Sequence, residues 1–193
     1  MDVLIYGSRE FGYVVRSLVG DTTHSFRGFI DDVHTGPDVL GNWNAVIAQY
    51  SPADVGVVIA VGYKDLDARW RVHQRVRSAG FCTPHLIHPE AWVAPTASVG
   101  DGTILMARCV VDCGATLQEL SVLWPGAVVN HHTTIGSNSF LSPNCTVCGS
   151  CQVGQHSFIG AGAVIPDHTQ VSARSFVKAG SVYRGPDTFR STP

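Results

Sequence analysis

Charge is scarce in this 193-residue chain: Asp, Glu, Lys and Arg make up only 15% of it, the formal net charge is −2, and no basic block occurs. Nucleic acid and anionic membrane surfaces are therefore poor partners. Long apolar runs are missing too, and nothing approaches the roughly 20 apolar residues that cross a bilayer. The opening "MDVLIYGSRE" lacks the charged segment and apolar stretch of a secretory leader. The expectation is a cytoplasmic protein without membrane insertion, long enough to bury a real core in one domain or two small ones.

Metal patterns are incomplete. Cys145, Cys148 and Cys151 form a C-x2-C-x2-C run among six cysteines, but no Cys or His follows at the spacing that completes an iron–sulfur or zinc site. The expectation is no metal.

What the chain does have is a period of six. From Ile87 to Val177 every sixth residue, sixteen in all, is Val, Ile or Leu, although these types form only about a quarter of the chain. The fifth position of each hexad, from Ala91 to Ser181, holds only Ala, Ser, Thr or Cys. An unbroken short period marks a solenoid of stacked strands. One aliphatic fills the core per hexad, and a small residue lets the chain turn a corner. Cys109, Cys145 and Cys151 occupy these small core slots. Glycines at second positions (Gly100, Gly136, Gly154, Gly160) suit a turn needing positive φ.

The first 86 residues differ. "DVLIYG", "FRGFIDD" and "DVGVVIAVG" read as strands, while "GYVVRSLV" and "DARWRVHQRVRSAG" have helical spacing. Alternation of this kind implies a small parallel α/β unit. The turn "GSREFG" (Gly7, Ser8, Arg9, Gly12) has the outer glycines of a dinucleotide fingerprint, but Arg9 replaces the middle one. Arg9 blocks close approach of a pyrophosphate, yet its guanidinium can itself bind phosphate. Asp31 and Asp32 end the second strand, where a carboxylate can accept ribose or base hydrogen bonds. A tight turn plus a solvated acidic loop explains the same residues.

The hexads resemble those of the hexapeptide-repeat acyltransferases. Adding "LIYGSREFGYVV", "GFIDD", "LIHPEAWV" and "VVNHHTTIGSNSFLSPNCTVCG", the chain resembles the PglD/NeuD-type sugar acetyltransferases over nearly its whole length. That resemblance implies a Rossmann-like α/β unit followed by a left-handed parallel β-helix of about five coils, with three hexads per coil stacked at about 4.8 Å. Residues 1–86 would bind a UDP- or dTDP-linked sugar. Residues 87–182 would form the acyltransferase helix, and residues 183–193 a C-terminal tail. It further implies a homotrimer with active sites between subunits and acetyl-CoA as co-substrate. The pantetheine would run past Gly149, Ala161 and Ala179, with Lys178 meeting a CoA phosphate.

Acetyl transfer needs a base, and imidazole suits it. In the hexad register His131 is third and His132 fourth, so neither is forced inside, and Cys113, His131 and Gly149 stack on one edge. Gly149 would leave room for a thioester, and its N–H is a candidate oxyanion donor. The resemblance makes His131 the catalytic histidine. Family members usually follow it with Glu or Asp, where this chain has His132, so Asn130 or a backbone carbonyl would have to hold the tautomer. Many relatives also carry a second histidine where Phe140 stands. The expected reaction is direct attack by a sugar amine, or a hydroxyl, on acetyl-CoA without an acyl-enzyme. The sugar, its nucleotide and the acetylated position are not encoded legibly.

Two rivals belong to other classes. A non-catalytic β-helix module for assembly or sugar-nucleotide binding is motivated by the missing acid and Phe140. A γ-carbonic-anhydrase-like metalloenzyme would need two histidines five residues apart, and no pair in the repeat has that spacing. His131 and His132, if on a strand, would point apart.

Overall fold

The computed structural model describes residues 1–185; the expected C-terminal tail lies, from residue 186 on, outside the described residues. Strands β1 (Asp2–Tyr6), β2 (Ser25–Ile30), β3 (Val39–Gly41) and β4 (Val55–Ile59) form a parallel sheet in the order β3-β2-β1-β4. Helices α1 (Glu10–Gly20), α2 (Trp43–Ile47) and α3 (Leu66–Ser78) accompany it. The three apolar runs are β1, β2 and β4, and Gly80 ends α3 with φ 86°. The short β3 and α2 had no apolar periodicity to announce them.

Sixteen two-residue strands follow, the first Leu86–Ile87 and the last Phe176–Val177, stacked in three parallel sheets of six, five and five. Every strand pairs with the one eighteen residues on, as Val128 with Thr146, so three hexads make one coil. The architecture is the left-handed β-helix that the resemblance implied. The aliphatic first positions from Leu105 to Val177 are all buried.

The corners correct one expectation. Positive φ falls on the fourth position, not the second: from Gly102 to Gly180 every fourth-position residue has φ between 55° and 73°, and nine of the fourteen are not glycine. Each such residue costs about 1–2 kcal/mol in the left-handed region. From Leu120 onward the geometry persists because the N–H of that residue reaches the third-position carbonyl of the coil before, as His132 to Cys113 at 3.0 Å. The second-position glycines answer a different need. A Cβ on Gly100 would lie 2.6 Å from the Glu119 nitrogen, and one on Gly154 would run into Ala173.

Outward-facing sixth positions give the three faces different characters. The first face carries Leu86, Ile104, Val122, Phe140, Phe158 and Phe176, the first four of them buried. The N-terminal unit covers it. Phe11 of α1 stacks on Trp124 (5.8 Å) and Phe140 (5.5 Å), and one apolar core runs through both parts. Phe140 is thus a packing residue. The second face presents Trp92, Val110, Val128, Thr146 and Val164, with Trp92 half exposed. The third is polar: Ser98, Thr116, Thr134, Gln152 and Gln170.

A polar clamp fastens α3 to the corner between the third and first faces. Arg69, fully buried, donates through one nitrogen to the Leu120 carbonyl (2.5 Å) and to Asn138 Oδ1 (2.6 Å), beside the Phe140 ring. Asn138 returns a bond from Nδ2 to the Leu66 carbonyl (2.7 Å), and Arg174 pairs with Asp67. The other guanidinium nitrogens of Arg69 have no partner among the described residues. Asn138→Ala removes the acceptor of a buried cation and strains a left-handed position. We expect a loss of about 2–4 kcal/mol in urea unfolding.

Candidate active site

The corner between the second and third faces carries the histidine pair. Val129 and Thr133 are buried on either side, which holds His131 and His132 out on the turn, both exposed. The left-handed backbone at His132 turns its ring back toward its neighbour, so the two Nδ1 atoms lie 3.3 Å apart. The residues sit on a turn, not a strand, and do not point apart.

Each ring rests on a glycine of an adjoining coil. A Cβ on Gly114 would lie 3.0 Å from His132 Cδ2, and one on Gly149 would lie 2.5 Å from His131 Nε2. The gap expected for a thioester beside Gly149 is therefore filled by the imidazole itself. Of two facing Nδ1 atoms, one must donate and the other accept. A proton on Nδ1 of His131 leaves its Nε2 as a free base over Gly149. His132, not Asn130, is the neighbour within hydrogen-bond reach of His131 Nδ1; the Asn130 side chain bonds neither ring.

Gly149 also departs from expectation. Its N–H donates to Asp167 Oδ1 at 2.6 Å, so the proposed oxyanion donor is already engaged. Asp167 stands one coil on from Gly149 at the same corner. The spacing of eighteen could have found it; its side-chain direction could not be read. Among the described residues no three His, Cys, Asp or Glu side chains are grouped to hold a metal.

Ala161, Ala179 and Lys178 lie elsewhere, at and beside the corner between the first and second faces, all three exposed. On one chain they do not share a groove with His131 and Gly149; the second face separates them. The N-terminal loop joins their side, since Phe11 packs on Trp124 next to that corner.

In the loop, Gly7 has φ 111° and a Cβ there would sit 2.8 Å from the Ala60 carbonyl, while Gly12 presses against the Gly7 carbonyl. Both glycines are demanded by strand–helix packing. Arg9 caps α1 with its side chain exposed. Ser8 bonds Asp31 Oδ2 through its N–H (3.0 Å) and hydroxyl (2.6 Å). Asp31 Oδ1 takes the Val33 and His34 N–H groups and faces His34 Nδ1. Its acceptor capacity is used up within the loop, which corrects its reading as a ligand residue.

Asp32 keeps an outlet. It accepts from Tyr6 (2.7 Å), the Trp43 N–H (2.9 Å) and Arg75 (2.8 Å), and Arg75 also donates to the Tyr6 hydroxyl (2.8 Å). Burial, and then the Asp32 carboxylate, push the Tyr6 pKa up, which keeps its hydroxyl a donor. Asp32 and Arg75, with Asn42, Trp43 and Asn44, line an open depression of about 530 Å³. Arg75, Asn42 and Asn44 escaped the sequence reading, because only the fold brings α3 and α2 to the end of β2.

Asp31 makes the loop sensitive to acid. Burial alone would raise its pKa, but hydrogen bonds from Ser8 and from the His34, Val33 and Ser8 backbone outweigh it and hold the group well below the usual carboxylate range. A depressed pKa contributes stability present above the unfolded value of about 3.9, lost as pH falls through the folded value. Asp31→Asn is expected to cost about 2 kcal/mol at pH 7. In urea titrations its stability should also fall less than the wild type's below about pH 4.

The family model for bacterial transferase hexapeptide (six repeats) matches residues 132–167. No curated protein matches the chain. Among solved structures, it is similar to the acetyltransferase domain of PglB from Neisseria gonorrhoeae FA1090: 29% identity, 96% of this chain and 93% of that one covered, TM-score 0.89. The same domain in complex with acetyl coenzyme A matches at 28% identity, over 93% and 88% of the chains, with TM-score 0.84. A mutant perosamine N-acetyltransferase from Caulobacter crescentus, in complex with CoA and GDP-perosamine, shares the fold at 21% identity, over 92% and 93%, with TM-score 0.75. By repeat and fold, the chain is thus similar to sugar acetyltransferases built on hexapeptide repeats.

Proposed function

We propose that this protein transfers an acetyl group from acetyl-CoA to an amine, or a hydroxyl, of a nucleotide-linked sugar, with His131 as general base. The observation that carries the reading is the His131 imidazole, held through Nδ1 by His132 with Nε2 over Gly149. Nε2 takes the proton of the sugar amine as its nitrogen attacks the thioester carbon. The tetrahedral intermediate then collapses: the C–S bond breaks, the amide remains, and the imidazolium returns its proton to the departing sulfur. No acyl-enzyme forms. His132 accepts the hydrogen bond from His131 Nδ1–H that a carboxylate would otherwise accept, without the charge. Acetyl-CoA as the donor is supported by the complex of the PglB domain. The nucleotide part would lie at the N-terminal loop, with the Arg9 guanidinium toward phosphate and Asp32 and Arg75 toward the ribose or base.

The reading includes a homotrimer. The second face offers a column of partly exposed apolar side chains, from half-exposed Trp92 through Val128 to half-exposed Val182. It is flanked by the His131 corner on one side and the Ala161–Ala179 corner on the other. Packing three such faces around an axis along the helix sets one copy's first corner against the next copy's second. Each site would then hold His131 of one subunit, with Lys178, Ala179 and the sugar loop of its neighbour.

The test is thiol release from acetyl-CoA against UDP-, dTDP- and GDP-linked amino sugars. One acceptor should support turnover, and His131→Ala should lower kcat by about 10² to 10⁴. His132→Ala should lose less, and His132→Glu should restore part of the rate. Turnover unaffected by His131→Ala would remove the assigned base. The assembly has its own check: Val128→Asp should yield monomers in sedimentation, with transfer lost because each site is split.

A further inference from the structure

The hydrogen bond between Gly149 and Asp167 lies outside the ladder that joins the coils. Third-position N–H groups take no part in the coil-to-coil ladder: among the described residues none donates to a backbone carbonyl. Most lie at exposed corners, as at His131, where water can serve them, and two others meet side-chain oxygens there, Cys113 with Asp112 Oδ1 and Ser137 with Gln118 Oε1. Gly149 differs, because it is buried and its N–H meets a carboxylate at 2.6 Å while the His131 ring lies against its α-carbon. A base, an amide N–H and an anionic oxygen thus converge on one residue. Acyl transfer at His131 requires that same trio, with the thioester oxygen as the anion in the making. A donor that stabilises it must lie about 2.7–3.1 Å from the oxyanion, which is where Asp167 Oδ1 stands.

We propose that Asp167 is a gate on the oxyanion donor: its carboxylate occupies the Gly149 N–H, and the acyl oxygen must displace it. Asp167 is exposed on the corner, so its side chain can swing toward solvent without disturbing the core. The carboxylate competes with the carbonyl of the acyl donor and not with the rest of CoA. It also disfavours water or stray anions at the N–H, which would leave the imidazole poised over a solvated donor. Asp167 acts through Gly149 and is a positioning residue; it is neither a base nor a nucleophile. The inference rests on the proposed acetyl-CoA reading and adds to it the group that controls its oxyanion site.

The experiment compares acetyl-CoA with S-ethyl-CoA, a thioether of nearly the same shape that lacks the carbonyl oxygen. Calorimetric Kd values are measured for wild type, Asp167→Ala and Asp167→Asn. Removing the competitor should tighten acetyl-CoA about tenfold in Asp167→Ala, the scale of one charge-assisted hydrogen bond, and leave S-ethyl-CoA unchanged. Asp167→Asn keeps an oxygen at the N–H without the charge and should fall between. Equal changes for both ligands would mean general charge repulsion of CoA, and overturn the gate. So would unchanged or weaker binding of acetyl-CoA to Asp167→Ala, with thermal unfolding verifying that the variant is folded. If acetyl-CoA binds neither wild type nor variant, the proposed function itself fails, and the gate with it.

Discussion

The rest of the structure depends on how one coil hydrogen-bonds to the next. From Leu120 to Gly180 the fourth residue of every corner turns left-handed and gives its N–H to the third-position carbonyl of the preceding coil, as Leu120 does to Asp101 at 2.8 Å. The flanking strand residues complete the ladder, and the third-position N–H is left over. Proline is tolerated at that position, as at Pro95, Pro125 and Pro143, because no ladder bond is lost. The unused N–H is also a point where the scaffold can offer the backbone to chemistry. His131 and Gly149 are both third-position residues at one corner, so the candidate site lies where the fold leaves its donors free.

This constraint explains what could be read from the sequence. The hexad was legible because each coil repeats the same local demands, an aliphatic inward and a small residue before the next corner. The stacking of His131 on Gly149 followed from adding eighteen. Positive φ was assigned to the second position because glycine signals two different things, left-handed backbone and close approach. At Gly100 the close approach is what matters. The true left-handed positions include Leu120 and Arg174, which carry no such signature because ladder bonds, not side-chain preference, hold them there.

Side-chain direction was the illegible part. Asp31 and Asp32 are adjacent in sequence and looked equivalent. The fold turns one into the loop, where Ser8 and two backbone N–H groups saturate it, and leaves the other beside Arg75 at an open depression. Nothing local in the sequence sets His132 toward His131; a left-handed φ of 55° brings the two Nδ1 atoms together. Both outcomes hinge on long-range contacts or on one backbone angle, which no local pattern encodes.

The docking of the N-terminal unit has a consequence for catalysis. Arg69, Asn138 and the Phe11–Phe140 contact fasten that unit to the first face, so the Gly7–Gly12 loop is fixed relative to the corner bearing Ala161. The base lies across the second face, at the other corner. Within one chain nothing can bring the sugar loop to His131, because the β-helix between them is a packed solid. On the proposed assembly, the distance between base and acceptor is set by how two second faces meet. Trp92 and Val128 would then influence transfer from well outside the chemistry. A displacement of even 1 Å between copies can cost about 10² in rate, so this apolar face is under tighter geometric demand than its role as packing surface requires.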